Sequence, residues 1–250
     1  MARSSNGARA WSHTVGLVGG VAMTVTISGC TALDFQSSPA PRPVSSSSIE
    51  VRNMGTPASR APSAQRAMPG MQVEDANNVC TAGFAAKGNG GGYFMLTSGH
   101  CDDHDGSAWT DSQDVLLGHI TVSEEEGWEK DAAIIALEPE VGVPTGAVGG
   151  KYEVRDVLSA DQLEIGMPFC KIGAITGETC GEITDLDDDL VEASVYSLHG
   201  DSGSPGFVKN ADGTVSAVGI LMASPDGDDH TTHFTLVEPL LDKWGLIILP

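Results

Sequence analysis

Hydrophobic positions divide the chain into two parts with different patterns. Residues 31–73 lack the periodicity of a buried element, whereas from Val79 onward short apolar runs alternate with glycine-rich and acidic turns. This spacing is typical of an all-β sandwich or barrel rather than of alternating helices and strands. The pattern predicts strands that include residues 93–97, 115–122, 132–137, 190–196 and 215–222, and a short closing helix over residues 238–245.

Residues 1–29 have the pattern of an export signal. Arg3 and Arg9 precede an apolar run over residues 15–27, which is too short and too often interrupted by glycine to span a membrane permanently. The run ends in the tetrapeptide ISGC, which resembles a bacterial lipobox and predicts lipidation of Cys30. An ordinary secretory signal with a chance cysteine is the alternative.

Residues 30–73 are rich in Ser, Pro, Ala and Arg, which predicts a disordered tether between this signal and a domain over residues 74–250. With lipidation, we expect an exported protein anchored to the outer face of the bacterial cell membrane. Without it, the protein would be secreted.

Charge is distributed unevenly along the chain. Of 34 acidic residues, 32 lie in residues 74–250 beside seven basic ones, which gives that part a net charge of −25. Such a domain repels nucleic acid, so no nucleic-acid partner is expected. The acidic clusters at residues 102–105, 185–189 and 226–229 do not match a calcium-binding loop, so they are interpreted as exposed turns and no metal is expected.

The hexapeptide GDSGSP at residues 200–205 carries the strongest chemical signal. A serine hydroxyl is a weak nucleophile until a neighbouring base accepts its proton. The glycines allow a tight turn in which the amides of Gly200 and Ser202 converge on one oxyanion position. Taken alone, the hexapeptide is equally compatible with a plain turn between strands.

Two upstream motifs fit the same chemistry. His100 lies in the stretch TSGHC at residues 97–101, and Asp131 immediately precedes the apolar run at 132–137. Each alone is compatible with an ordinary surface or strand-edge residue. In the order His100, Asp131, Ser202, however, they match the chymotrypsin-type triad and differ from subtilisins and α/β-hydrolases.

With these motifs, residues 79–249 resemble the bacterial chymotrypsin-like serine proteases, in particular the alpha-lytic protease and streptogrisin group. Further segments carry the resemblance: CTAGF at 80–84, CKIGAITG at 170–177, CG at 180–181, THF at 232–234 and WGL at 244–246. The resemblance implies two six-stranded antiparallel β-barrels, over about residues 74–140 and 150–250, and a short C-terminal helix. It also implies two disulfides, Cys80–Cys101 and Cys170–Cys180.

The resemblance further implies what each site residue does. Ser202 would be the nucleophile, His100 the general base and Asp131 the group that orients it, with the Gly200 and Ser202 amides as oxyanion hole. Buried Asp201 would pair with Lys171, which replaces an arginine of the alpha-lytic group. Substrate would contact Tyr196, at the floor of the specificity pocket, and His199, Leu221, Met222, Ala223 and Ser224.

These residues predict a surface-tethered serine endopeptidase that hydrolyses peptide bonds of a peptide or protein substrate through an acyl-enzyme. No cofactor is needed, and a monomer is expected. Met222, Ala223 and Ser224 replace a serine and two glycines of the group, so a binding module on a weak or inactive protease scaffold is the second hypothesis. A structural lipoprotein without a site is the third.

Overall fold

The computed structural model describes residues 66–127, 130–225 and 227–250. The predicted signal peptide, Cys30 and the tether up to residue 65 lie outside these residues. The described part of the chain consists mainly of β-strands, and none of its helices is long and apolar enough to cross a membrane.

The strands follow one another with short connections. Those of the first half are β1 (Gln72–Glu74), β2 (Val79–Thr81), β3 (Ala85–Gly88), β4 (Tyr93–Thr97), β5 (Ala108–Asp111), β6 (Leu116–Glu125) and β7 (Asp131–Leu137). Those of the second half are β8 (Val154–Val157), β9 (Pro168–Gly173), β10 (Gly177–Leu186), β11 (Leu190–Ala193), β12 (Pro205–Lys209), β13 (Val215–Ala223) and β14 (Thr232–Leu236). Helix α1 (Val237–Trp244) and strand β15 (Leu246–Ile248) end the domain.

Hydrogen bonding arranges the described strands into two sheets. The first has the order β15-β3-β4-β7-β6-β5-β1-β2, and the second has the order β12-β9-β10-β11-β14-β13-β8. Pairing of β12 with β13 closes six strands of the second sheet into a barrel, while β8 lies outside it and runs parallel to β13. The predicted all-β double-barrel class is confirmed, although C-terminal β15 and the short β2 give the first sheet more than six strands.

Consecutive residues of the central strands pack into different cores. In β7, Ile134 contacts a cluster shared by both sheets, whereas Ile135 contacts the interior of the first sheet. In β13, Ile220 belongs to the shared cluster and Leu221 to the interior of the second barrel. Because successive side chains of a strand point to opposite faces, these strands are buried on both faces and appear in the sequence as continuous apolar runs.

The packed part of the domain begins before residue 74. Ala67 is fully buried and Met71 is nearly so, and both contact the core of the first sheet. The polar, proline-containing sequence around them has no periodicity that marks this packing.

Both expected disulfides are present, with Cα–Cα distances of 6.5 Å for Cys80–Cys101 and 4.1 Å for Cys170–Cys180. Each contributes roughly 2–4 kcal/mol of stability on the loop-entropy estimate. The first fixes β2 to the turn that carries His100, and the second joins the paired strands β9 and β10.

Candidate active site

His100 and Asp131 meet where the first sheet faces the second barrel. His100 lies in a single 3-10 turn that follows β4, and Asp131 is the first residue of β7. The Asp131 carboxylate accepts the backbone N–H of His100 at Oδ1 (2.7 Å) and contacts His100 Nδ1 at Oδ2 (2.6 Å). Gly99 makes this approach possible, because a Cβ there would lie 2.1 Å from the Glu124 carbonyl oxygen.

Ser202 completes a line of hydrogen bonds across the two halves of the domain. It lies in the loop between β11 and β12, and its Oγ is 2.9 Å from His100 Nε2. Asp131 is almost fully buried, whereas about a third of the His100 side chain is exposed. The serine and imidazole are therefore open to a ligand, while the carboxylate behind them is shielded from water.

The charge environment of His100 favours its protonated form. Burial alone would lower the pKa of His100, because it disfavours the imidazolium. The hydrogen bond and negative charge of Asp131, together with the charge of Glu125, outweigh burial and raise the pKa above its ordinary value. The pKa of the His100 imidazole therefore depends on the negative charges of both Asp131 and Glu125.

Glu125→Gln should lower the pKa of His100, because the substitution removes one of the negative charges that stabilise the imidazolium. An NMR titration of the His100 ring measures this shift. The neighbouring Glu126 is exposed and does not line the cleft beside His100, so Glu126→Gln is the matched control and should leave the pKa nearly unchanged. An unchanged or raised pKa in Glu125→Gln would contradict this account of the charges.

The loop that carries Ser202 is fixed by its carbonyl groups. The Gly200 carbonyl accepts the Thr81 hydroxyl (2.9 Å), and the Ser202 carbonyl accepts the Thr81 backbone N–H (2.7 Å). Gly200 has a φ of 96°, a conformation that favours glycine. In the described residues neither the Gly200 nor the Ser202 amide donates a hydrogen bond within the protein. Both amides are thus available to an oxyanion.

A buried ion pair precedes Ser202. Asp201 and Lys171 are both fully buried, and Lys171 Nζ lies 2.8 Å from Asp201 Oδ2. The Thr176 hydroxyl accepts a hydrogen bond from Lys171 and donates one to Asp201 (2.6 Å). Burial would raise the pKa of Asp201, but hydrogen bonds from Lys171, Thr176 and the Leu198 amide hold it below its ordinary range. The ion pair expected from the sequence is therefore present.

A cleft of about 460 Å³ opens beside Ser202 and contains most of the predicted substrate contacts. Five of these contacts line it, namely His199, Leu221, Met222, Ala223 and Ser224. Residues that the sequence motifs did not single out also line it: Glu125, Gly127, Ser197, Leu198 and Asp229. Glu125 ends β6 and the other four lie in connecting segments, where no apolar periodicity or motif marks a residue that faces a cleft.

Tyr196 was expected at the floor of this cleft, but among the described residues it does not line it. Its ring instead lies 5.0 Å from the ring of His230. The neighbouring Ser197 faces the cleft, and its Oγ lies 2.8 Å from Ser224 Oγ. Ser197 therefore occupies the place in the cleft that was expected for Tyr196.

Thr235 anchors Asp131, a role that no motif revealed. Thr235 Oγ1 accepts the Asp131 amide (3.1 Å) and lies 3.3 Å from the Asp131 carbonyl oxygen. Met222 was expected where related proteases place a serine donor, and its Sδ lies 4.0 Å from Thr235 Oγ1. A thioether has no proton to donate. Thr235 therefore holds the backbone of Asp131, and the carboxylate contacts His100.

Comparisons with known proteins agree with this architecture. The Nocardiopsis protease is 25% identical, with a TM-score of 0.60 over 73% of this chain and 98% of that protein. A Cellulomonas bogoriensis chymotrypsin is 25% identical (TM-score 0.57; 73% and 97% covered), and an alpha-lytic protease homologue is 24% identical (TM-score 0.57; 72% and 97% covered).

Sequence comparison adds relatives without a known activity. Uncharacterised proteins from two strains of Mycobacterium tuberculosis are 29% identical over 168 residues, which cover 61% of this chain and 71% of theirs. No protein-family model matches the chain. The described domain has the fold of the chymotrypsin-like serine proteases and is similar in structure to the bacterial group that includes alpha-lytic protease.

Proposed function

We propose that this chain is a serine endopeptidase that hydrolyses peptide bonds through an acyl-enzyme. One observation carries the proposal: Ser202 Oγ, His100 and Asp131 lie in an unbroken line of hydrogen bonds of 2.9 and 2.6 Å. The available amides of Gly200 and Ser202 support it. A plain turn or a structural protein would have no need for this arrangement at the edge of an open cleft.

In the proposed reaction, His100 Nε2 accepts the Ser202 proton as Oγ attacks the scissile carbonyl carbon. The Gly200 and Ser202 amides stabilise the oxyanion, and one such donor is worth roughly 3–4 kcal/mol in the transition state. His100 then donates the proton to the departing amine, which leaves an acyl-serine. Water, deprotonated by His100, hydrolyses this ester and regenerates Ser202. Asp131 holds the tautomer of His100 that carries its proton on Nδ1.

The binding-module hypothesis has support in one region only. Met222, Ala223 and Ser224 depart from the residues of active relatives, and all three line the cleft. None of them interrupts the hydrogen bonds between Ser202, His100 and Asp131, so the peptidase remains the better-supported proposal.

Hydrolysis of an internally quenched peptide library by the purified 250-residue chain tests the function. We expect cleavage at internal peptide bonds and its loss after treatment with an organophosphonate. A chain that binds peptides without cleaving them, and that the phosphonate does not inactivate or modify, would be a binding module.

We also propose that a lipid on Cys30 anchors the protein to the outer face of the cell membrane, because Cys30 ends the lipobox-like sequence. At least two acyl chains are expected, and two chains suffice for stable anchoring. Cys30→Ala should therefore move the protein from the membrane pellet to the soluble fraction, as measured by immunoblotting after a high-salt wash. Ser37→Ala, in the tether, is the control. Retention of Cys30→Ala in the pellet would refute the anchor.

A further inference from the structure

Glu124 is a nearly buried carboxylate that the proposed reaction does not use. It is the penultimate residue of β6, and its side chain is 11% exposed. Its Oε1 accepts the indole N–H of Trp244 (3.1 Å) and lies 2.7 Å from Lys243 Nζ. Among the described residues Oε2 accepts no hydrogen bond, and Lys130 Nζ lies 4.0 Å from it. Since a carboxylate removed from water needs a countercharge and hydrogen bonds, Lys243 and Trp244 are the groups that hold Glu124 in place.

Both donors belong to the last turn of helix α1, which is fixed by its own packing. Val237 and Leu241 of this helix are buried in the cluster shared by the two sheets, and Trp244 packs against the same cluster. Lys243 is more than half exposed, so its ammonium reaches Glu124 from the solvent side. The end of the helix is therefore a firm support to which Glu124 is attached.

The backbone of Glu124 contacts the elements that carry His100 and Asp131. Strand β6 pairs with β7 along this stretch, so that Glu125, the next residue, opposes Asp131. The carbonyl oxygen of Glu124 lies against Gly99, at the start of the turn that holds His100. A displacement of the end of β6 would therefore move the carboxylate and the imidazole relative to each other.

We infer that Glu124 is a positioning residue, through which helix α1 fixes the end of β6 and holds Asp131 against His100. The inference rests on the proposed peptidase function, which requires these two groups to be aligned. Since successive side chains of a strand point to opposite faces, Glu125 lines the cleft while the Glu124 carboxylate points to the helix. Glu124 thus acts through the strand and not by contact with a substrate.

Lys243→Met tests the inference, because charge and position predict opposite results for His100. Removal of a cation alone would raise the pKa of His100, since its surroundings become more negative. If Glu124 instead turns toward water without its countercharge, the 2.6 Å contact between His100 and Asp131 lengthens and the pKa falls. We therefore expect a lower pKa of His100 in an NMR titration of the 250-residue chain. We also expect kcat for peptide hydrolysis to fall by roughly 10²-fold, the loss that follows a misplacement of about 1 Å.

Three further variants isolate the contact. Lys243→Arg keeps a charged donor, so the pKa of His100 and kcat should be close to those of the unmodified chain. Trp244→Phe removes the indole N–H without a change of charge and should lower both quantities, though by less than Lys243→Met. Lys87→Met removes an exposed lysine of β3 that does not line the cleft, and as the matched control it should leave both unchanged.

A raised or unchanged pKa of His100 in folded Lys243→Met, with folding checked by circular dichroism, would overturn the positioning role. If Lys243→Met does not fold, an unchanged pKa in Trp244→Phe would overturn it in the same way. The NMR titration needs no substrate, so it tests this inference separately from the peptidase function. Failure of the peptidase function has a different signature, in which no peptide is cleaved and a phosphonate does not label the unmodified chain.

Discussion

Ser202→Ala should reduce kcat for peptide hydrolysis by about 10⁶-fold, the size of loss that follows removal of a protease nucleophile. The substitution removes one oxygen atom from a partly exposed position, so the structural change is small. His100 loses the partner that lies 2.9 Å from its Nε2 but keeps both of its contacts with Asp131. We therefore expect the thermal unfolding midpoint to be close to that of the unmodified chain. The measurement is a peptide hydrolysis assay at matched protein concentration.

Ser107→Ala is the control for Ser202→Ala, since Ser107 lies in a surface loop outside the cleft and should tolerate the change. Peptidase activity of Ser202→Ala equal to that of the unmodified chain would remove Ser202 as nucleophile.

Lys171→Met should slow acylation by roughly 10²–10³-fold, the cost of misplacing one oxyanion donor. Lys171 neutralises Asp201, the residue between Gly200 and Ser202, and both charges are fully buried. Without the ammonium, Asp201 keeps hydrogen bonds from Thr176, Ile175 and Leu198, but its charge has no buried counterion among the described residues. Movement of Asp201 toward water would displace the Gly200 amide. Burst kinetics with an activated ester measure the acylation rate.

An unpaired buried charge lowers the free energy of unfolding by about 3–5 kcal/mol. The effect of Lys171→Met on stability must therefore be measured separately from its effect on acylation. The double substitution Lys171→Met with Asp201→Asn removes both charges and should recover most of that stability in thermal unfolding. Acylation by folded Lys171→Met at the rate of the unmodified chain would show that the ion pair does not position the loop.

The Lys171–Asp201 ion pair also determines how the candidate active site forms. Pancreatic-type enzymes neutralise the corresponding aspartate with an N-terminus freed by cleavage, whereas here Lys171 supplies the charge from within β9. We therefore propose that the site forms without zymogen cleavage. The peptidase activity of the uncleaved chain is the direct readout.

Much of the fold could be predicted from the sequence, because the strands are marked by the local pattern of apolar residues. The continuous apolar run in β7 and the end of β13 at Ala223 match their predicted strands within a residue. The motifs around His100 and Ser202 were recognisable from their order with Asp131 and from their resemblance to the protease group. The structure adds the reason for Gly99, since a Cβ there would lie 2.1 Å from the Glu124 carbonyl oxygen. The electrostatic cost of an isolated charge predicted that a buried Asp201 needs a partner, and the resemblance to the alpha-lytic group identified that partner as Lys171.

Contacts between residues that lie far apart in the sequence could not be predicted, because no local pattern of residues marks them. Thr235 holds Asp131 across 104 positions of sequence, and an isolated threonine in a strand gives no indication of that contact. Ser197, and not Tyr196, lines the cleft, because the irregular segment after β11 places it there, and no pattern in the sequence marks this. Strand β15 joins the first sheet although it lies at the end of the second half of the chain, since its edge pairs with β3.

Covalent labelling tests the central claim, an activated Ser202, without knowledge of the natural substrate. The 250-residue chain is incubated with a diphenyl phosphonate analogue of an alanine peptide, digested, and mapped by mass spectrometry, with Ser202→Ala in parallel. We predict a single phosphonate adduct on the peptide that contains Ser202, and none in the variant. A folded chain that carries no adduct, or one that is modified at another serine to the same extent in both proteins, would contradict the assignment of Ser202 as the nucleophile.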